Sequence, residues 1–304
     1  MASIQASSDY QAFRDRGTGI LVGLAAGDRN GGPIQMALVL AETLEKSTPV
    51  YNPVDVFQGY SDWHANGTGI DAWDTGPIAQ KLLHQFKVQS SSKTKSYAEH
   101  LEILENRSLV LDQQLKGLTA GVNAVHRVAP LVLAPFLSDE EELIDAARQE
   151  SRLTHWSLIS QNTCAIFVVI VRHLLFGKTI LEAVDYIIKN ENILSSETPI
   201  IISKLQEGLK STIEYNSITQ GGFCPEVLKA SIYFIIHSNS FNEAMENSIS
   251  FAGPCNYCPV LVGVLAGAIY GSSNISEDEL HHCKLGIKAR CIRSANKLLI
   301  GFNK

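Results

Sequence analysis

A turn with ligand-capable side chains precedes a long apolar segment near the end of the chain. A Gly-Pro break is followed by Cys255, Asn256 and Cys258, and the apolar helix predicted after them continues to Gly271. Such a turn can bind an anion or a metal, or hold a nucleophile, because the first backbone N–H groups of a helix lack partners within it. The Cys-x-x-Cys pair leaves three options open: a zinc site, a redox dithiol, or two structural thiols.

A zinc site would need further ligands, and the sequence offers His281, His282 and Cys283. We expect the apolar helix between Cys258 and His281 to carry the two groups to opposite ends, which disfavours zinc. A dithiol at a helix N-terminus is chemically reasonable, because that location lowers the pKa of a thiol. No thioredoxin-like βαβ pattern surrounds the pair, however, so structural cysteines are the favoured interpretation.

Acidic side chains occur on two other turns that precede helices. Asp28 follows the first predicted helix, and Asp71 and Asp74 lie in the turn before Pro77. Carboxylates from separate turns can together hold Mg²⁺. The competing interpretation is helix capping, because aspartate is a favoured N-cap residue and Asp74 stands directly before Thr-Gly-Pro. The spacing alone favours the capping role.

A third group of polar residues lies where loops meet predicted helices. Its members are Gly121, Asn123, His126, Arg127 and His155. A glycine-containing turn with an asparagine can bind a phosphate through its backbone N–H groups. The alternative is an arginine that pairs with one of the acids and a histidine that caps a helix end.

Helices must position these groups, because the chain shows helical periodicity and no convincing strand pattern. The first helix is expected over residues 10–27, after a loosely held segment at 1–9. Further helices are predicted over 34–45, 54–64, 78–86, 156–176, 199–215 and 225–237. Capping patterns that begin at Ser138, Thr179, Ser240 and Ser276 predict four more helix starts, the first of these helices ending near Glu150 and the last continuing to Ile300. Without an internal repeat or a long linker, residues 1–304 are predicted to form one all-α domain.

Two of these helices carry glycines at every fourth position. The glycines are residues 19, 23 and 27 in the first helix and residues 263, 267 and 271 in the helix after the cysteine turn. A row of glycines gives a helix a smooth face that lets another backbone approach closely. We therefore predict that the two helices pack on each other in the centre of the fold.

Composition and charge argue against several classes of partner. The net charge is -6 and no basic stripe with interleaved aromatics is present, so no nucleic-acid partner is expected. The longest strongly apolar run, residues 164–171, is too short to span a bilayer, so no membrane partner is expected. No secretory signal is visible, which makes a cytoplasmic location the default and the six cysteines thiols rather than disulfides.

Five motifs, taken in order, resemble those of the ADP-ribosylglycohydrolase family. The match extends from about residue 9 to residue 271. The motifs are Gly23-Leu-Ala-Ala-Gly-Asp28, Asp74-Thr75, Gly121-Val-Asn-Ala-Val-His-Arg-Val-Ala-Pro130, Leu153-Thr-His155, and Ala252-Gly-Pro-Cys-Asn-Tyr-Cys258 with Gly263-Val-Leu-Ala-Gly-Ala268. Each motif alone is weak, whereas five in order are fairly specific.

The resemblance implies an all-α fold, a centre of two Mg²⁺ ions, and hydrolysis of ADP-ribose from modified side chains. It also implies roles for residues of this chain. Gly121 and Asn123 would face the diphosphate of ADP-ribose, and His155 would line the nucleotide pocket. Asp74 would remain as a metal ligand.

Most positions that hold the family's metals carry other residue types here. Gln35 stands where the family has a glutamate, and only Asp74 remains of the Thr-Asp-Asp cluster. Cys255, Tyr257 and Cys258 replace the Asp-x-Asp-Thr cluster. Mg²⁺ takes hard oxygen ligands and prefers carboxylates, so no cofactor and no ordinary metal-dependent activity are expected.

One branch of the family resembles this chain in three further segments. They are Asp28-Arg-Asn-Gly-Gly-Pro33, Asp74-Thr-Gly-Pro77 and Asn256-Tyr-Cys-Pro259, which look like the jellyfish lens J-crystallins and selenoprotein J. That branch implies a structural eye-lens protein at high concentration, with self-association compatible with the role and catalysis dispensable. The alternative is a divergent ADP-ribosyl hydrolase or ADP-ribose-binding protein, to which Mg²⁺ and ADP-ribose would bind.

Overall fold

The computed structural model describes residues 8–46, 50–66, 75–86, 96–190, 197–210, 218, 220–253, 255 and 257–303. The chain is all-α, as predicted. Its helices are α1 (Ser8–Gly27), α2 (Gly32–Leu44), α3 (Pro53–Asn66), α4 (Pro77–Phe86), α5 (Tyr97–Gln114), α6 (Asn123–Arg127), α7 (Glu140–Arg152), α8 (Leu158–Leu175), α9 (Ile180–Lys189), α10 (Thr198–Gly208), α11 (Cys224–Ile236), α12 (Phe241–Ala252), α13 (Tyr257–Tyr270) and α14 (Ile287–Leu299). Short 3₁₀ turns follow α6, α13 and α14. Among the described residues, an isolated antiparallel bridge between Gly121 and Phe223 is the only β pairing.

The glycine-lined faces of α1 and α13 pack directly on each other, which confirms the sequence prediction. A Cβ atom on Gly19 would overlap the carbonyl of Gly267, and one on Gly23 would overlap the carbonyl of Gly263. The pairs follow in opposite order along the two helices, so the helices are antiparallel. Their backbones touch because neither helix carries a side chain along this face, which we call the glycine interface.

The central helix of the core is α8. It is the one helix in the described part of the chain that is long and apolar enough to cross a membrane, and 83% of it is buried inside the protein. Its residues belong to one continuous apolar core that also contains the buried faces of α1, α2, α11 and α13. Burial of this kind is the pattern of a core helix in a globular fold.

Two predicted helix starts are wrong. Asp139, not Ser138, caps α7, because the Asp139 carboxylate accepts two backbone N–H groups of the first turn. The last helix, α14, begins at Ile287 rather than near Ser276, since Gly286 precedes it with a φ of 87°. A left-handed residue cannot continue a helix, so the chain before it forms only short turns.

Other helix starts agree with the capping chemistry of the sequence. Thr179 forms a capping box with Glu182 at the start of α9, as predicted. Ser240 caps α12 through its side-chain oxygen. Helix α5 was not predicted, although Ser96 and Glu99 form a capping box there. The buried residues of α5 are Leu104, Ser108 and Leu111, so its apolar stripe is narrow and gives a weak helical pattern.

Two predictions fall partly outside the described residues. The segment 1–9 was expected to be loosely held, but α1 begins at Ser8. Residues 1–7 lie outside the described part of the chain. The helix predicted over 199–215 is described as α10, which ends at Gly208, and residues 211–217 are not described.

Candidate functional site

Gly121 and His155 lie against each other where the loop before α6 meets the junction of α7 and α8. A Cβ atom on Gly121 would lie 3.3 Å from Nε2 of His155. The loop is held by its bridge to the segment before α11, since the N–H of Val122 donates to the carbonyl of Gly222 at 2.9 Å. The absence of a side chain at Gly121 thus leaves the imidazole edge facing bare backbone.

Asn123, the first residue of α6, packs against the turn that precedes α4. A Cβ atom on Gly76 would lie 2.6 Å from Oδ1 of Asn123, and Gly76 has a φ of 76°. Both the close approach and the left-handed backbone require glycine there. The adjacent Thr75 is buried. The fold therefore brings Thr75, Asn123, Gly121 and His155 together from three separate segments.

Three of the sequence-predicted residues lie outside the described part of the chain. They are Asp71, Asp74 and Asn256. The predicted role of Asp74 as a remaining metal ligand, and its competing role as a helix cap, therefore stay predictions.

The ring of His155 is fully buried, and its two nitrogens have different surroundings. Arg127 Nη2 donates to Thr154 Oγ1 at 2.8 Å, and Thr154 Oγ1 is 2.8 Å from Nδ1 of His155. The hydroxyl proton of Thr154 then goes to Nδ1, which leaves the proton of a neutral imidazole on Nε2. Nε2 has no hydrogen-bond partner. Burial, together with Arg127 and His126, lowers the pKa of His155 to about 3, so the ring is neutral.

A buried ion pair supports the His155 ring through Thr154. Arg127 Nε donates to Glu150 at 2.6 Å, and neither side chain has any exposed surface. Tyr51 and Tyr60 donate their hydroxyls to the two oxygens of the same carboxylate, at 2.9 and 2.7 Å. The guanidinium also lies 5.2 Å from the centre of the Tyr60 ring. Arg127 therefore pairs with an acid, which confirms the structural alternative for this residue.

Electrostatics keep the members of this network in fixed protonation states. Burial alone would lower the pKa of Arg127, but the adjacent Glu150 outweighs it and the pKa is raised. Burial and the same carboxylate raise the pKa values of Tyr51 and Tyr60 well above the ordinary one. The arginine is thus charged and both phenols are neutral donors at neutral pH.

Arg29 links the turn after α1 to the cysteine turn before α13. One of its terminal nitrogens, Nη2, donates to the carbonyls of Gly253 and Cys255, at 2.7 and 2.6 Å. Asp28 next to it supports the first turn of α2, because its carboxylate accepts the N–H of Ile34 at 2.7 Å. The N-cap position itself is held by Gly31, so Asp28 satisfies a helix-end donor without being the N-cap residue. The backbone carbonyl of Cys255 takes part in the link to Arg29, and the side chain of Cys255 is half-buried.

The side chain of Gln35 faces the last helix. Its Oε1 accepts a hydrogen bond of 3.0 Å from Arg290, which also pairs with Glu42 at 2.8 Å. The positively charged guanidinium of Arg290 therefore lies next to the amide oxygen of Gln35. Arg290 was not predicted from the sequence, because the predicted start of α14 is too early and its charges could not be assigned to a face.

Cys258 lies inside the core at the start of α13. Its Sγ is 3.8 Å from the hydroxyl of Ser231, and burial raises the pKa of the thiol to about 12. The carbonyl of the preceding Tyr257 is 2.8 Å from Nε2 of His126, which positions that histidine structurally. A buried neutral thiol suits the structural interpretation of this cysteine rather than the redox one.

Cys258 is expected to react with iodoacetamide roughly a thousandfold more slowly than a free thiol near neutral pH. The reason is that its raised pKa lowers the thiolate fraction by about three powers of ten. Mass mapping of labelled peptides over time measures the rate, with the half-buried Cys255 as the internal comparison and the unfolded chain as the control. A native rate equal to that of the unfolded chain would contradict the buried thiol.

The expected separation of the cysteine turn from His282 and Cys283 is wrong. The chain folds back after α13, and both side chains contact the carbonyl of Ala25, at 3.2 and 3.4 Å. Ala25 precedes Gly27, which packs on the carbonyl of Pro259 at the start of α13. Even so, the described residues contain no group of three or more histidines, cysteines or acids that could hold a metal ion.

The chain resembles known proteins in both sequence and fold. A family model described as ADP-ribosylglycohydrolase matches residues 33–303. This chain belongs to the ADP-ribosylglycohydrolase family. A solved structure titled "ADP-ribosylglycohydrolase-related protein complex" is similar in fold, with a TM-score of 0.70 and 19% sequence identity over 95% of this chain and 99% of that chain. A search of curated proteins finds no match.

The described residues at the positions where the resemblance implies metal ligands do not fit Mg²⁺. Gln35 offers an amide oxygen that already accepts from Arg290, whose positive charge repels a cation. Cys258 offers a neutral, soft sulfur inside the core. Mg²⁺ requires hard oxygen ligands in near-ideal octahedral geometry, so this donor set does not supply its coordination shell.

Proposed function

We propose that this member of the ADP-ribosylglycohydrolase family has a structural role of the lens-crystallin type rather than a catalytic one, in the branch of the J-crystallins and selenoprotein J. The observation that carries the proposal concerns two residues at expected metal-ligand positions, whose side chains make structural contacts instead. Gln35 binds Arg290, and Cys258 packs on Ser231. Groups that are used in this way cannot at the same time activate a water molecule through a metal.

The proposal has consequences for location and partners. A protein of this role would accumulate in the cytoplasm, without a nucleic-acid or membrane partner and without a bound cofactor. Self-association at high concentration is part of the proposal. The net charge of -6 supports colloidal stability, because like-charged molecules repel each other.

A titration of Mg²⁺ and ADP-ribose tests the proposed role. We expect the melting temperature to rise by less than ~2 °C at millimolar ligand, because a ligand that binds the native state must stabilise it. No ADP-ribose should be released from an ADP-ribosylated peptide at any Mg²⁺ concentration. Release that depends on Mg²⁺, or a larger thermal shift that needs Mg²⁺, would show a working hydrolase and overturn the structural role.

A second candidate function is metal-free binding of ADP-ribose, and one observation favours it. Nε2 of His155 is a buried donor without a partner, and it faces Gly121 close to Asn123. An unpaired buried donor is costly, and a phosphate oxygen would satisfy it. In the same titration without Mg²⁺, binding that His155→Gln removes and the partly exposed control His100→Gln retains would support this function.

A further inference from the structure

A cavity of about 360 Å³ lies between the start of α7, the end of α8 and the last turn of the chain. Its apolar walls come from Leu143, Val169, Phe176 and Phe302. The cavity is remote from the candidate site, because Arg172 in its wall lies 14 residues along α8 from Leu158. That spacing corresponds to roughly 21 Å of helix.

Aromatic rings form one side of this cavity. The ring centres of Phe176 and Phe302 are 6.2 Å apart, and that of Phe13 lies 5.4 Å from Phe176. Although Phe176 lies in this cluster, 45% of its surface is exposed. The wall thus presents a large apolar side chain to the cavity opening, where a ligand would remove it from water.

The guanidinium of Arg172 is the main polar group in the wall. It is 91% buried, and Nη2 donates to the carbonyl of Leu137 at 3.0 Å. Nε is buried and has no hydrogen-bond partner. The guanidinium carbon of Arg172, Cζ, lies 5.6 Å from the centre of the Phe302 ring. A buried donor on a charged group without an acceptor is costly, so an incoming anion would recover a charge-assisted hydrogen bond.

The remaining charged residues of the lining leave this donor unpaired. Glu140 is the one acid among the described lining residues, and it accepts the hydroxyl of Tyr186 at 2.7 Å. The same carboxylate lies 3.9 Å from His173, whose ring is tilted by 44° against that of Tyr186 with centres 4.5 Å apart. Lys178 at the exposed rim adds a second permanent positive charge. The cavity therefore carries an excess of positive charge.

We propose that this cavity binds a small amphipathic carboxylate, with its apolar body against Phe176 and Phe302 and its carboxylate on Nε of Arg172. The volume lies in the range of small-molecule sites. The apolar body contributes through burial, and the carboxylate accepts from a donor that no other group satisfies. Lys178 assists from the rim as a point charge.

Calorimetric titration with 4-phenylbutyrate tests the ligand class directly, with 4-phenylbutan-1-ol as the neutral probe of the same body. We expect saturable binding of the carboxylate and binding of the alcohol that is weaker by about tenfold or more, since a charged hydrogen bond is lost. Equal affinity for both probes would refute the role of Arg172. No binding of the carboxylate at millimolar concentration would overturn the proposal as a whole.

Variants locate the binding. Arg172→Gln is expected to weaken binding about tenfold or more, and Lys178→Gln about threefold, because a rim charge contributes less. Lys189→Gln is the matched control, since it removes the same charge from an exposed position on α9.

A blocking variant keeps the test decisive if Arg172→Gln fails to fold. Ser138 is exposed at the cavity wall, so Ser138→Trp fills the opening without disturbing the core. We expect Ser138→Trp to abolish binding while the melting temperature is retained. Undiminished binding in Ser138→Trp or in a folded Arg172→Gln would place the ligand elsewhere and reject this site.

Discussion

Glu150→Gln is expected to lower the free energy of unfolding by about 3–5 kcal/mol, the cost of leaving one partner of a buried ion pair alone. Arg127 and Glu150 have no exposed side-chain surface, and their N–O distance is 2.6 Å. Glutamine keeps the shape of the side chain but removes its charge. The guanidinium then remains charged in the core, and Tyr51 and Tyr60 lose a strong acceptor.

Glu105→Gln is the matched control, because it also neutralises an acid that pairs with an arginine. Glu105 lies 2.9 Å from Arg152, but both side chains are more than a quarter exposed, at 28% and 27%. We expect a change of at most about 1 kcal/mol, as for other exposed pairs. Urea unfolding at constant m-value measures both variants. Equal effects would mean that the buried network contributes no more than a surface pair.

Gly23→Ala is expected to destabilise the fold by about 3 kcal/mol or more. A Cβ atom at this position overlaps the carbonyl of Gly263, and a backbone carbonyl in the middle of α13 cannot turn aside. The two helices must separate along the whole glycine interface, with loss of packing in the core. Thermal and urea unfolding measure the effect.

Gly17→Ala tests the same change on the same helix where the neighbour can move. The nearest atoms to a Cβ there are the δ carbons of Leu299, at 2.7 and 2.9 Å. A leucine side chain can adopt another rotamer, and alanine favours the helix by up to about 1 kcal/mol over glycine. We expect Gly17→Ala to cost at least about 2 kcal/mol less than Gly23→Ala. Similar losses would contradict the special role of the backbone contact.

Local signals in the sequence were sufficient for most of the fold. The glycine spacing of α1 and α13 predicted their contact, because a row without side chains has few other uses in a core. Thr179 and Ser240 predicted helix starts through their capping chemistry. The start of α14 was missed because the pattern at Ser276 is a weak local preference, whereas the left-handed Gly286 is imposed by the fold.

The candidate site was predictable only in part. Gly121, Asn123 and His155 were identified from their motifs, and the structure brings them together. The acid beneath them was not identified, although Glu150 continues the buried stripe of Leu143 and Ala147 on α7. An acid in an apolar helical stripe indicates a buried partner. Its partners Tyr51 and Tyr60 come from distant segments, which no local pattern connects.

The α1–α13 contact has a consequence for the order of events during synthesis. About 240 residues separate the two faces along the chain, and α1 also packs on α14. At the usual rate of translation, α13 is made about 10 to 50 s after α1. During that interval the bare face of α1 has no native partner, and closing so long a loop carries a large entropic cost. The nascent chain therefore completes its core only after α13 has been made, and until then chaperones would meet the first helix with its glycine face uncovered.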